Sequence, residues 1–466
     1  MSPVRTYKEL RKAAKVNNES AKKVKIAVLG DCATQHFSQA LKGMGTLSGY
    51  QYEIYDADYN QIVSQIIDAG SELYEFDPKY AVLVMCIQRL YEDFCNTPLD
   101  RRMQFADNKA NEICRLWNSI HEKSEMSIFQ LLFLEENDNI FGSFGLGLEN
   151  SFVYQVKKLN YLLMEAGLKD RKVYLIDVND IAQRIGIHQF IDEKMMYLTK
   201  MYISLDGLPY VVKKISDLIS AIDGKVKKCV ILDLDNTLWG GVIGDDGMEG
   251  IQIGDLGMGH AYSDFQAWLK ELKNRGIILG ICSKNNEDTA KEPFISHPDM
   301  VLRLEDFSIF VANWNDKATN LRYIQKTLNI GMDSIVFIDD NPFERNLVSS
   351  SIEDITVPDL PEDPSEYKSY LEELNLFETA SYSEEDVNRT KQYQAEVNRQ
   401  ELENEFASFD DYLKGLDMVA EVAPFDAFHF PRIAQLTQRS NQFNLRTVRY
   451  TEDEIAALAA SRDHFT

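Results

Sequence analysis

The stretch CVILDLDNT, residues 229–237, decides the fold of the central part of the chain. An apolar run ends here in two carboxylates, Asp233 and Asp235, which are separated by a single leucine. The run predicts a buried strand that carries both acidic side chains at its carboxyl end. Two carboxylates at one strand tip repel each other, so a hard divalent cation with oxygen ligands is the natural compensation.

Polar residues also end or follow the next apolar runs. Ser283 closes the run GIILGICS, and Lys317 begins a segment with helical periodicity. Asp339 and Asp340 close the run SIVFIDD. Because the carboxyl ends of parallel strands meet at one edge of a sheet, we expect these side chains to lie close to Asp233.

This set of residues matches what phosphoryl transfer requires, namely a nucleophile, a proton donor, cations and hydrogen-bond donors. Asp233 is predicted to attack phosphorus, and Asp235 to protonate the leaving oxygen and later to activate water. Ser283 and Lys317 are predicted to bind phosphate oxygens. Taken singly, each element is commonly a turn or a helix cap, but four in this order favour a catalytic site.

The segments VILDLDNTLWGG, ICSKN, NDKATN and VFIDDNPFER resemble the four motifs of the haloacid dehalogenase (HAD) superfamily. The segment DLDNTLWGGVIGDDG is similar to the corresponding segment of the FkbH-like proteins of its subfamily IIIC. The resemblance implies a Mg²⁺-dependent phosphatase or phosphotransferase that works through an aspartyl-phosphate. It implies metal binding by Asp233, Asp235, Asp339 and Asp340, with Asp340 as the more direct ligand of the last two. Residues expected to contact the substrate are Asn236, Thr237 and Asn285.

In this superfamily, bulky lids lie between the first and second motifs or between the second and third. Here the corresponding segments, residues 238–260 and 285–316, are short. The first segment is glycine-rich and predicts a hairpin flap rather than a cap domain. An uncapped site admits water and large substrates.

The first part of the chain alternates apolar runs with helical segments, which predicts a parallel sheet covered on both faces. The block GDCATQHF places Cys32 at a helix start and resembles the GDS block of SGNH-type hydrolases, with Cys32 in place of the nucleophilic serine. Cys32 is therefore a candidate catalytic thiol with His36 as a candidate base, or simply a packed residue at a turn. The late DxxH block of that family is matched only by Asp177.

We therefore predict two Rossmann-like, doubly wound α/β domains, SGNH-like over residues 1–222 and HAD-like over residues 225–358. Residues 359–466 are predicted to be an acidic helical linker and the start of an acetyltransferase-like (GNAT-like) domain that is truncated or vestigial. The polar residues between Gln438 and Arg446 are the candidate contacts in that region.

The 466 residues carry 49 basic and 74 acidic side chains, a formal charge of −25 that argues against binding nucleic acid or anionic membranes. Six scattered cysteines and the absence of an apolar leader predict a cytoplasmic protein. FkbH-like proteins are associated with loading glyceryl from a phosphorylated glycerate onto an acyl carrier protein, in polyketide or surface-polysaccharide biosynthesis. The alternatives are a plain phosphomonoesterase of polysaccharide biosynthesis and an inactive binding module.

Overall fold

The computed structural model describes residues 4–17, 20–382, 392–394, 419, 421–439, 448 and 450–461. The chain divides into two compact units, residues 1–397 and 398–466. The first unit contains two parallel sheets flanked by helices, which confirms the predicted class of Rossmann-like α/β domains.

The first sheet contains five parallel strands: β1 (Lys22–Gly30), β2 (Tyr50–Asp56), β3 (Tyr80–Val84), β4 (Ser127–Leu131) and β5 (Val173–Ile176). Their order across the sheet is β2-β1-β3-β4-β5. The helices of this part are α1 (Tyr7–Ala13), α2 (Gln35–Leu47), α3 (Ile62–Ile67), α4 (Glu72–Phe76), α5 (Ile87–Asn96), α6 (Phe105–Lys123), α7 (Phe152–Gly167), α8 (Val178–Ile185), α9 (Ile187–Phe190), α10 (Glu193–Thr199) and α11 (Leu208–Ile222).

The second sheet contains four parallel strands: β6 (Cys229–Leu232), β7 (Ile278–Ser283), β8 (Ile309–Ala312) and β9 (Ile335–Ile338). Their order is β8-β7-β6-β9. The helices around it are α12 (Ile243–Gly250), α13 (Gly257–Asn274), α14 (Glu287–Ser296), α15 (Lys317–Leu328), α16 (Pro342–Ser351) and α17 (Tyr367–Leu374).

Both sheets contain a point where the order of strands reverses, and ligands of open α/β sheets bind at the carboxyl ends of the strands there. In the first sheet this point lies between β1 and β3, and in the second between β6 and β9. Leu232 at the end of β6 pairs with Ile338 at the end of β9. The residues that follow these two strands, Asp233 and Asp339, therefore lie side by side.

The four strands of the second sheet are almost fully buried, and their apolar side chains fill cores on both faces. Side chains beyond the predicted limit at residue 358 also join one of these cores, among them Leu360, Tyr367, Leu371, Leu374 and Phe377. The predicted domain limits of 1–222, 225–358 and 359–466 stay predictions.

The segment after Asp233, predicted to be a hairpin flap, has a different structure. An antiparallel bridge between Gly240 and Gln252 closes the segment, but its middle forms the short helix α12 rather than a hairpin. Gly247, at a φ of 66°, interrupts that helix in a conformation that glycine adopts without steric cost.

In the second unit the structure describes the helices Phe430–Arg439 and Glu452–Ala460. Most of the expected acetyltransferase-like contacts, residues 440–447, lie outside the described residues. Among the described helices, none has the combination of length and apolar character needed to cross a bilayer.

Candidate active site

Three carboxylates meet at the point of strand reversal in the second sheet. The N–H of Asp233 donates to the carbonyl oxygen of Ile338 (2.9 Å), which extends the β6–β9 ladder by one residue. Asp233, Asp339 and Asp340 can each place a carboxylate oxygen within 4.8 Å of those of the other two. Asp339 is fully buried and Asp233 is nearly so. This grouping follows directly from the parallel register of β6 and β9.

Lys317 supplies the positive charge at this cluster. It is the first residue of α15, whose N-cap is the side chain of Asp316. Its Nζ lies 2.7 Å from Oδ2 of Asp233 and 2.5 Å from Oδ2 of Asp339, although the residue is only 2% exposed. Burial lowers the pKa of Lys317, but the attraction of Asp233 and Asp339 outweighs it and raises that pKa overall. Lys317 is therefore a fixed ammonium ion.

The cluster retains an excess of negative charge. Burial, together with the neighbouring charge of Asp233, raises the pKa of Asp339 to about 7 and also raises the pKa of Asp340. With all three carboxylates ionised, the cluster and the Lys317 ammonium would carry two formal negative charges, so either a proton or a bound cation relieves the repulsion. Oδ1 of Asp233 is buried and has no hydrogen-bond partner among the residues that the structure describes. An unpaired buried carboxylate oxygen beside two other carboxylates fits a small divalent cation such as Mg²⁺, which prefers oxygen ligands.

The turn after Asp233 brings Thr237 back over the sheet edge. Asn236 takes a left-handed conformation with a φ of 55°, which asparagine tolerates better than most residues. The Thr237 hydroxyl is buried. It donates to Oδ1 of Asp340 (3.2 Å) and accepts from the N–H of Asp340 (3.1 Å). Its hydroxyl therefore positions Asp340. Asn236 is exposed, and its Oδ1 accepts from the N–H of Gly241. Substrate contact by either residue stays a prediction.

The carboxylate of Asp235 is held apart from the acidic cluster. Its Oδ1 accepts from Nε1 of Trp239 (3.0 Å) and the N–H of Ile243 (2.9 Å), and its Oδ2 accepts from Nδ2 of Asn285 (2.8 Å). Burial raises the pKa of Asp235, and so does the charge of Asp233. A carboxyl with a raised pKa suits proton donation. Asn285 thus orients Asp235. Substrate contact by Asn285 and a metal contact by Asp235 both stay predictions.

Ser283 ends β7, the strand beside β6, and is 2% exposed. The pairing of Leu232 with Ile281 places it at the same sheet edge as Asp233. The structure thus gathers the predicted phosphate ligand and the nucleophile at one edge, as the strand-tip pattern predicts.

Arg345 is a functional residue that the sequence pattern did not single out. Its guanidinium is nearly buried and donates to the carbonyl oxygens of Asp339 (2.9 Å) and Asp340 (2.6 Å), and to Oδ1 of Asp359 (2.9 Å). The planar fork of arginine suits such bridging. It fixes the turn that carries both acidic residues. The motif VFIDDNPFER contains Arg345, but only the fold shows which atoms it contacts.

We expect the Thr237→Val substitution to weaken metal binding about 10- to 100-fold, because the isosteric side chain leaves Asp340 without its orienting hydroxyl. The measurement is the Mg²⁺ concentration that gives half-maximal activity. The matched control is Thr327→Val, at another buried threonine of the same domain. Equal Mg²⁺ dependence of the two variants would contradict the role assigned to Thr237.

Beside the first sheet the structure places Cys32 two residues after the end of β1. Cys32 is 4% exposed, and the neighbouring Cys86 side chain and burial both raise the pKa of the Cys32 thiol. His36 is exposed, and its Nδ1 lies 2.7 Å from the Tyr7 hydroxyl. Asp177 is the N-cap of α8. A catalytic role of Cys32 stays a prediction.

Taken together, the fold and site define an α/β protein with two parallel sheets and, where the second sheet reverses its strand order, a buried acidic cluster that is able to hold a cation. Residues 25–220 match the family model described as FkbH, N-terminal domain. The structure is similar to that of the N-terminal part of the protein BF1531 from Bacteroides fragilis, which contains a phosphatase domain and was crystallised in complex with Mg. The two chains are 46% identical with a TM-score of 0.78, over 81% of this chain and all of that one. The chain therefore belongs to the same family as that protein.

A second solved structure, BT4096, a gut microbial diltiazem-metabolizing enzyme, is 11% identical with a TM-score of 0.29 over 47% of this chain and 52% of that chain. This similarity is too low to bear on fold or function. No curated protein matches the chain.

Proposed function

We propose that the chain is a Mg²⁺-dependent phosphatase or phosphotransferase of the HAD type, with Asp233 as its nucleophile. The observation that carries the proposal is the buried Asp233. One of its oxygens pairs with Lys317, and the other has no hydrogen-bond partner among the described residues. Further support comes from the phosphatase domain and the Mg of the 46% identical Bacteroides fragilis protein.

The first step is an in-line attack of an Asp233 oxygen on the phosphorus of the substrate. A new bond forms between this oxygen and phosphorus, and the bond from phosphorus to the leaving oxygen breaks. Asp235 donates its carboxyl proton to the leaving oxygen, which departs as an alcohol or an acid. The three hydrogen bonds that Asp235 accepts fix its carboxyl beside the reacting atoms.

The second step releases phosphate. A water molecule gives a proton to the Asp235 carboxylate as its oxygen attacks phosphorus, and the bond from phosphorus to Asp233 breaks. Both side chains return to their initial states. Lys317 holds a positive charge at the site through both steps, and Ser283 is positioned to donate to a phosphate oxygen.

Asp233, Asp339 and Asp340 are the side chains that would hold Mg²⁺, which supplies charge neutralisation on the phosphate oxygens. Thr237 and Arg345 act on this set by fixing the Asp339–Asp340 turn. The complete set of acidic residues and the buried lysine favour an active enzyme over the alternative of an inactive binding module.

The substrate is proposed to be a phosphorylated small molecule, as the FkbH-like resemblance implies, with an acyl carrier protein as a partner. Loading glyceryl onto such a carrier would require a reactive thiol. The burial and raised pKa of Cys32 oppose that role for its present conformation. The match of residues 25–220 to the FkbH N-terminal domain favours acyl transfer, which is therefore the second candidate function.

The test is phosphate release from aryl phosphates, phosphoglycerates and acyl phosphates, for the wild-type protein and Cys32→Ala, with Mg²⁺ and with a chelator. We expect Mg²⁺-dependent release that Cys32→Ala leaves within about twofold of wild type, because the thiol and the phosphate site lie in different domains. If Cys32→Ala remains folded but no longer releases phosphate, acyl transfer through the thiol is favoured. Phosphate release that is as fast with the chelator as with Mg²⁺ would contradict the metal-dependent mechanism.

A further inference from the structure

Two thiols face the point of strand reversal in the first sheet. Gly30 at the end of β1 pairs with Val84 at the end of β3. Cys32 and Cys86 therefore each lie two residues beyond the last pair of adjacent parallel strands. We propose that Cys32 and Cys86 form a modification site, a dithiol that peroxide oxidises to an intramolecular disulfide.

The two segments stay side by side beyond the strands. The N–H of Asp31 donates to the carbonyl oxygen of Val84 at 3.2 Å, and the N–H of Cys86 donates to Oδ1 of Asp31 at 2.8 Å. Neighbouring strands lie about 4.8 Å apart, which is within the roughly 4.4–6.8 Å range of Cα separations that a disulfide spans. The backbone thus has the spacing that a disulfide needs.

The two thiols are also neighbours. Asp31 and Met85, one residue earlier on each segment, line the same cavity of about 220 Å³. The Cys86 side chain is the largest cause of the raised pKa of the Cys32 thiol, which agrees with a short distance between the two side chains.

The surroundings determine which oxidant reaches these thiols. Cys32 and Cys86 are 4% and 7% exposed, which leaves little access for a bulky thiol, whereas hydrogen peroxide is small. The neighbouring Cys86, burial and the charge of Asp31 raise the pKa of the Cys32 thiol, so we expect its oxidation to be slow. A sulfenic acid formed here has the second thiol as its nearest nucleophile.

The oxidation takes place in two steps. Peroxide transfers one oxygen atom to the sulfur of Cys32, giving a sulfenic acid and one water. The sulfur of Cys86 then attacks that sulfur, the S–O bond breaks, and the hydroxyl leaves with the Cys86 proton as a second water. The disulfide ties the loop after β1 to the loop after β3 and removes Cys32 as a nucleophile. This inference does not depend on phosphoryl chemistry at Asp233.

The experiment uses the full chain with the exposed Cys95 and the partly exposed Cys114 replaced by serine, treated with hydrogen peroxide. We expect intact-mass spectrometry to show the loss of two hydrogen atoms, and peptide mapping to link the peptides that carry Cys32 and Cys86. Dithiothreitol should restore the original mass. Cys229 and Cys282 are internal controls, since they are buried and face Ile278, Ile335 and Val311 across the sheet rather than a thiol.

In the same background, Cys86→Ser should give no loss of hydrogen and instead a gain of oxygen on Cys32. Peptide mapping of the protein that retains Cys86 decides the question if the Cys86→Ser variant does not fold. The proposal is overturned if Cys32 and Cys86 are oxidised independently, if either links to another cysteine, or if both stay reduced while the protein remains folded in peroxide.

Discussion

Asp233→Asn is expected to reduce Mg²⁺-dependent phosphate release by about 10⁴-fold or more, because an amide cannot form the acyl-phosphate intermediate. The substitution keeps the volume of the side chain. Lys317 keeps its 2.5 Å contact with Asp339, so the variant retains a buried ion pair and should fold. The measurement is initial-rate phosphate release at saturating Mg²⁺, with circular dichroism to check the fold.

The matched control for this variant is Asp306→Asn. Asp306 is also a buried aspartate of the second domain and is paired with Lys270 and Lys273, but it precedes β8 and lies at the opposite edge of the sheet. Its substitution should leave the rate of phosphate release of the folded protein close to that of wild type. A rate in Asp233→Asn above about one tenth of wild type would remove Asp233 from the chemistry.

Lys317→Met should lower both stability and activity, because it leaves Asp233 and Asp339 buried without their common cation. Breaking a buried ion pair from one side costs about 3–5 kcal/mol. We expect the free energy of unfolding to fall by an amount in that range, and phosphate release to fall about 10²- to 10³-fold as the fixed charge is lost. Saturating Mg²⁺ should recover part of the stability, because a cation bound only by the folded state stabilises it.

The comparison for Lys317→Met is Lys273→Met, measured by urea denaturation with and without Mg²⁺. Lys273 is more exposed than Lys317, and its partner Asp306 keeps a second lysine, Lys270. This change should cost no more than about 1 kcal/mol and be insensitive to Mg²⁺. Equal losses of stability in the two variants would contradict the role of Lys317 as the counter-charge of the acidic cluster.

The acidic cluster could be predicted from the sequence because its residues lie at strand ends and helix starts. Asp233, Asp339 and Lys317 each follow or begin an element with a clear periodicity, and parallel pairing then brings them together. The helix Lys317–Leu328 begins at the residue where the sequence predicts a helix start. The same rule placed Ser283 at the edge of the sheet beside Asp233.

The sequence did not single out two strands, β2 and β8. β2 has the sequence YQYEIYD, in which only the first and third residues are buried, so it lacks the continuous apolar run of the other strands. β8 is apolar, but its four residues, IFVA, are too few to distinguish a strand from a buried loop.

The roles of Thr237 and Asn285 could not be predicted because they depend on tertiary geometry. The left-handed turn at Asn236 directs Thr237 to Asp340, and β7 carries Asn285 to Asp235. The adjacency of Cys32 and Cys86 likewise depends on β1 lying beside β3, which the order of elements along the chain does not reveal.

Trapping the phosphoryl-enzyme would show directly whether Asp233 is the nucleophile. The wild-type protein is mixed with acetyl phosphate and Mg²⁺, quenched in acid, and mapped by mass spectrometry after borohydride reduction, which converts an aspartyl-phosphate to homoserine. We expect homoserine at position 233 alone, dependent on Mg²⁺ and absent in Asp233→Asn. Modification at Asp235, Asp339 or Cys32 with position 233 unmodified would contradict it.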